Sequence, residues 1–199
     1  AVLPMYLLIG IWGSTRKEYG AMKLTIFLMA GSAFAIIGML AIYFGSGLRT
    51  FDMLLLAENV NFSRDFQFAF FPPLFIGFAI LAGMFPFHTW SPTGHVAEPT
   101  AVSMLHAGVL MKLGAYACLR VAMWLMPQGA QDWLPIIAVL TIFNVLYGAT
   151  IAMAQRHFKF IIGYSSVSHM GLVVMALSAA NQISLIGAVL QMFAHGIMT

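Results

Sequence analysis

Several runs of this 199-residue chain stay apolar for about 20 residues, the length a helix needs to cross about 30 Å of hydrocarbon. Hydrocarbon offers no water to the backbone N–H and C=O groups, so such a run must bond within itself as a helix. Hydrophobic residues make up 61% of the chain and charged residues 8%, against about 45–50% and about 25% in an ordinary soluble domain. The sequence therefore specifies an all-α polytopic membrane protein.

Seven hydrophobic segments can be marked. Residues 1–13 read as the tail of a helix, spans follow at about 22–44, 66–87, 100–126, 133–154 and 158–178, and the last runs from 183 to 199. Both ends fall inside apolar runs, so the expectation is a piece of a longer membrane subunit. The short turns "PQGAQD" and "QRHFK" make neighbouring helices antiparallel. Loops 14–23 and 155–159 then share a side and carry Arg16, Lys17, Lys23, Arg156 and Lys159, against Arg49, Arg64 and Arg120 opposite. This bias places 14–23, 88–99 and 155–159 in the cytoplasm. Trp12, Trp90, Trp124 and Trp133 fall near span ends, as an interfacial aromatic belt would.

Whole classes of function are excluded or left without support. The net charge of +3 is small and its bases are scattered among loops, so no nucleic-acid partner is expected; the partner is the lipid bilayer. The single cysteine, Cys118, cannot form an internal disulfide or a Cys-rich metal or iron–sulfur site. No phosphate-binding glycine loop or metal-ligand spacing is present. His88 and His95 flank a tryptophan in what reads as a loop, and no metal is expected there.

Counting along the spans brings out a coincidence in depth. Lys112 is thirteenth in 100–126, Asn144 twelfth in 133–154, His169 twelfth in 158–178 and His195 thirteenth after Ile183. A charged lysine at a helix centre costs about 2.5–3.5 kcal/mol on insertion scales, so it faces protein or water and marks function. Amines release protons more readily when buried, and imidazole has one nitrogen to receive a proton and one to release it. Lys112, His169 and His195, linked by water, Tyr164, Ser165, Ser166 and Ser168, suit lateral proton transfer. His106, six residues before Lys112, extends the row toward the cytoplasm.

"AGMFPFHTWSP" (82–92) fits two readings, a helix broken inside the bundle or an ordinary helix end with a proline-containing loop. Non-helical backbone at membrane depth is tolerated only against protein or a water-filled cavity.

The motifs "FPFHTWSPTGHVAEPTAVSMLHAGVLMKLGAYACLR" (85–120), "YGATIAMAQRHFKFIIGYSSVSHMG" (147–171), "GAVLQMFAHG" (187–196) and "LPMYLLIGIWG" (3–13) resemble the proton-translocating antiporter-like subunits of respiratory complex I. Within that family they look most like the chain M (subunit 4) branch. The wider family includes Mrp-type cation/proton antiporter subunits and membrane-bound hydrogenase subunits, which are the alternative reading. The resemblance implies two inverted five-helix repeats, each with a broken helix. Residues 1–126 would end the first repeat with the family's helices five to eight, and 127–199 would begin the second with helices nine to eleven. It also implies a bacterial-type plasma (inner) membrane and neighbouring antiporter-like subunits as partners. The enzyme would be a translocase, with NADH, FMN, iron–sulfur clusters and quinone in partner subunits and no cofactor in this chain.

Carried over by motif, Lys112 matches the eighth-helix lysine, His169 and His195 match histidines of the tenth and eleventh helices, and Lys159 matches the lysine after "AQ". One position departs. The family's seventh-helix lysine falls nine residues before Trp90, where this chain has Leu81 and no other basic residue in 66–87. The family's fifth-helix glutamate would lie five residues before Pro4 and its twelfth-helix acid beyond Thr199.

Overall fold

The computed structural model describes residues 2–199. Among them nine helices follow in order: α1 (Val2–Trp12), α2 (Lys17–Gly45), α3 (Met53–Asn59), α4 (Arg64–Ala82), α5 (Trp90–Ala97), α6 (Thr100–Met123), α7 (Pro127–Ala154), α8 (Phe158–Ser178) and α9 (Gln182–Met198). Helices α2, α4, α6, α7 and α8 are long and apolar enough to cross a membrane. Their outward faces are apolar as well: Met29, Ile37 and Phe44 on α2 and Phe143 and Leu146 on α7 are exposed. A helix of a soluble protein would carry charge there. The chain is a multi-pass integral membrane protein.

Lipid gives helices no hydrophobic reason to pair, so close backbone approach through small residues matters. A Cβ on Gly77 of α4 would stand 2.5 Å from Ala35 N and 2.7 Å from Gly31 O of α2. Gly114 plays the same part for α6, where a Cβ would stand 2.7 Å from the Phe78 carbonyl.

Of the two readings of 82–92, the structure has the broken helix. Helix α4 stops at Gly83, whose φ of 77° is left-handed, and the chain resumes as α5 after residues 83–89. The groups left open by the break find partners. Met84 N donates to Ala79 O, and Gly83 N and Trp90 Nε1 both donate to Ile80 O. Phe85 N donates to Asn144 Oδ1 of α7 at 3.0 Å.

The loop expected at 88–99 is therefore largely the buried helix α5, and the connection shrinks to Glu98–Pro99. Its glycine, prolines and hydroxyls look like a turn, yet Pro92 lies in the first turn of α5, where a missing N–H costs no helical bond. Trp90 is completely buried and belongs to no interfacial belt; Trp12 and Trp124 remain exposed. "PQGAQD" is helical too. Pro127 opens α7, and Gln67 Oε1 on α4 accepts the N–H groups of Gln128 at 2.9 Å and Gly129 at 3.1 Å. Helix α2 likewise takes in 17–23, and the 45–65 loop contains α3, capped by Asp52 Oδ1.

Three connections meet at one end of the bundle. Ser14 N donates to Ala97 O at 2.8 Å, Ser14 Oγ donates to Val96 O at 2.9 Å, and Lys159 Nζ donates to Glu98 O at 3.0 Å. This is the shared side expected from the charge count.

Candidate functional site

Helix α6 is not uniformly α-helical: His106–Leu110 and Cys118–Met123 are π-helical turns. Such widened turns are rare and collect at functional sites. Here Met111 N bonds back to the His106 carbonyl, five residues earlier, and the Ala107 carbonyl takes the ammonium of Lys112. The lysine left alone by its own helix is thus partnered partly by that helix's own distortion. Its second partner is 83 residues away in sequence: Lys112 Nζ lies 2.5 Å from His195 Nδ1 of α9. The imidazoles of His195 and His169 face each other with ring centroids 5.3 Å apart, and Gln191 Nε2 donates to His169 Nδ1 at 3.0 Å. Lys112, His195 and His169 therefore form one contiguous row across α6, α9 and α8. Lys112 also borders an open, largely apolar groove of about 770 Å³ between α6 and α9, lined with Gly108, Tyr116, Met192, Phe193 and Gly196.

The other residues marked at the same depth divide. Asn144 lies on the far side of α8 from this row; Nδ2 donates to Val167 O at 3.1 Å while Oδ1 holds Phe85 N, so both ends of the amide serve the backbone. Ser168 Oγ donates to the Val145 carbonyl, again a helix-to-helix bond. Tyr164 and Ser165 make no side-chain hydrogen bond among the described residues. Depth had grouped Asn144 with Lys112, and the hydroxyls had been read as links between the row's members; direction around the helix separates Asn144 and Ser168 from the row.

His106 belongs to a second cluster, with two residues that sequence reasoning left out of the site. Glu98 Oε1 stands 2.7 Å from His106 Nδ1, and both side chains are completely buried. His95 stacks on His106 at 4.3 Å between centroids, while Trp90 covers a ring face of His106 at 5.0 Å. His95 Nδ1 is 2.8 Å from Ser103 Oγ and 3.9 Å from Glu98 Oε2. Lys159 joins this cluster, through the Glu98 carbonyl, and not the Lys112 row. The signal was present in the sequence: Glu98 is the nearest acid to Lys112, three residues from one histidine and eight from another.

Donor atoms of His95, Glu98 and His106 lie within 4.8 Å of one another. Two ligands sharing a tetrahedral zinc ion at about 2.0–2.1 Å would stand about 3.3 Å apart. The 2.7 Å between Glu98 and His106 is instead the length of a charge-assisted hydrogen bond. No hydrogen bond joins this cluster to the Lys112 row among the described residues.

Leu81 faces an apolar cavity of about 260 Å³ between α1, α2, α4 and α6, whose lining includes Leu28, Phe78 and Leu110. Ser32 is its one polar side chain among the described residues.

A family model described as "NADH:quinone oxidoreductase/Mrp antiporter, TM" matches residues 1–199. The chain is 39% identical over 197 residues to NAD(P)H-quinone oxidoreductase chain 4 of Gloeobacter violaceus, covering 99% of this chain and 37% of that protein. It is 37% identical over 199 residues to NADH-quinone oxidoreductase subunit M of Rickettsia prowazekii, covering 100% and 40%. The chain thus spans about two fifths of the length of the curated relatives it matches. In a solved structure of respiratory complex I from Thermus thermophilus, a chain superposes with a TM-score of 0.91 at 26% identity, covering 98% of this chain and 42% of that one. The Mrp complex from Dietzia sp. gives 0.84 at 20% identity, covering 98% and 37%, a likeness of fold.

Proposed function

Because the chain belongs to the NADH:quinone oxidoreductase/Mrp antiporter transmembrane family over its whole length, we propose that it carries protons across an energy-transducing membrane as part of an antiporter-like subunit of NADH:quinone oxidoreductase. The names of its curated relatives support this choice over an Mrp-type antiporter or a membrane-bound hydrogenase. The energy would come from electron transfer in partner subunits, which would hold NADH, FMN, iron–sulfur clusters and quinone, in a bacterial-type inner membrane. Its neighbours would be other membrane subunits of that complex. Residues 1–126 close one structural repeat and 127–199 open the next.

The carrying observation is the contact between Lys112 and His195 at 2.5 Å, with His169 next in line. Two unit charges about 4 Å apart repel by about 4 kcal/mol at an effective dielectric of 20. Lys112 and His195 thus compete for one proton, and an excess proton arriving at either is driven to the next group. In this reading Lys112 receives the proton, and His195 and His169 hand it on.

The test is proton uptake in membrane vesicles during electron transfer, with assembly checked in the same membranes. Lys112→Met removes the ionisable group at similar volume, while Lys112→Arg keeps a charge that does not leave. Both variants assemble and lose most of the pumping. Full pumping by both would refute the relay, and full pumping by arginine alone would reduce Lys112 to a fixed charge.

A further inference from the structure

The cavity beside Leu81 offers a proton nowhere to stay. It is lined by apolar side chains and Ser32 among the described residues. One residue from Leu81 begins a chain of contacts that ends on an acid. The Ile80 carbonyl accepts Trp90 Nε1 at 3.1 Å, Trp90 lies flat on His106 with 4° between ring planes, and His106 Nδ1 meets Glu98 Oε1 at 2.7 Å.

We propose that Glu98, bonded to His106 and flanked by His95, is the proton-holding group at the end of these contacts, standing in for an ionisable side chain at position 81. This deepens the proton-carrying reading above and rests on it. Glu98 has no exposed surface, and its second oxygen, Oε2, has no hydrogen-bond partner; neither does Nε2 of His95 or of His106. A buried carboxylate half satisfied in this way is a cost that a glutamine, or an apolar residue, would lessen. Three unused polar atoms beside one short carboxylate–imidazole bond are what a site needs if its proton count changes.

The groups facing Glu98 from each packed element are His95 from α5, His106 from α6 and, through the Glu98 carbonyl, Lys159 from α8. A proton taken from the aqueous side binds a Glu98 oxygen. That oxygen is Oε2, which has no partner, while Oε1 goes on accepting the Nδ1–H of neutral His106; release of the proton toward Lys112 restores the carboxylate, and no other bond changes. Lys112, the recipient, lies six residues further along α6 than His106, about 9 Å by helical rise.

The decisive variant is Glu98→Gln in the assembled complex, with Lys112→Met measured beside it. Glutamine keeps the volume and an oxygen to accept from His106, but it holds no proton. The expected result is normal assembly, proton uptake cut to roughly a tenth of wild type or less, and most of the uptake kept by Glu98→Asp. An infrared carboxyl band that changes during turnover in wild type is absent from Glu98→Gln. If Glu98→Gln pumps fully while Lys112→Met does not, this proposal is overturned and the relay stands. If both pump fully, both fall. Failure of Glu98→Gln to assemble makes the acid a packing requirement and overturns the proposal. So does Zn²⁺ uptake by the wild-type complex that Glu98→Gln abolishes without loss of pumping.

Discussion

Asn144 Oδ1 accepts the backbone N–H of Phe85 at 3.0 Å, across two helices and 59 residues of sequence. The same amide donates to the Val167 carbonyl at 3.1 Å, so one side chain ties the broken backbone after α4 to both α7 and α8. Replacing Asn144 by leucine strands the Phe85 donor, worth about 1–3 kcal/mol when left unpaired in a buried site, and removes a second bond from the helical Val167 carbonyl. Asn144→Leu should therefore lower stability by about 2 kcal/mol or more, read as a shifted denaturant midpoint in detergent. Asn144→Asp keeps the acceptor for Phe85 and should fall between leucine and wild type. A leucine variant as stable as wild type would show that the break does not depend on this residue.

Gln67 closes the start of α7 by taking two backbone N–H groups on one oxygen. Gln67→Leu removes that cap and should cost about 0.5–2 kcal/mol, the usual range for losing an N-cap. Gln67→Glu keeps the accepting oxygens and should lose less. Thermal unfolding followed by circular dichroism ranks the three, and a leucine variant equal to wild type would contradict the assignment.

Leu81 borders a cavity rather than lipid or tight packing. Leu81→Lys should assemble at near wild-type levels, because the long side chain has somewhere to go. Subunit abundance in membranes measures this, and absence of the assembled variant would mean the cavity does not accept the lysine.

The end of the bundle where Ser14, Ala97 and Lys159 meet should face the cytoplasm. Cysteines placed at Arg49 and at Arg156 should react with a membrane-impermeant thiol reagent from opposite sides. Labelling of both from one side would invert or refute this topology.

The long spans were legible because twenty apolar residues leave the backbone one way to satisfy itself, and α8 begins and ends where the pattern put it. Residues 90–97 were not, since Ser91, Pro92, Thr93 and Gly94 look like a turn locally while Trp90, packed under His106, decides that they form a buried helix. The same difference runs through the site. Depth along a span is countable from sequence, and it grouped Lys112, His169 and His195, which are neighbours in the fold. Direction around the helix is not: packing decides which neighbour each face meets, and in α6 a π-helical turn also shifts every later side chain. Asn144 and Ser168 consequently fell into the proton row on paper but bond backbone in the fold. Glu98 was overlooked for the opposite reason: its partners are on other elements, so near its own sequence it looked like a loop acid.

Ala97 and Glu98 present consecutive carbonyls, one gripped by Ser14 between α1 and α2 and the other by Lys159 on α8. Helix α5 is therefore fastened at its far end to two other connections, while its helical continuity with α4 stops at Gly83. The residue whose carboxylate holds His106 is thus also one of the two whose carbonyls fasten α5 to the α1–α2 turn and to the start of α8.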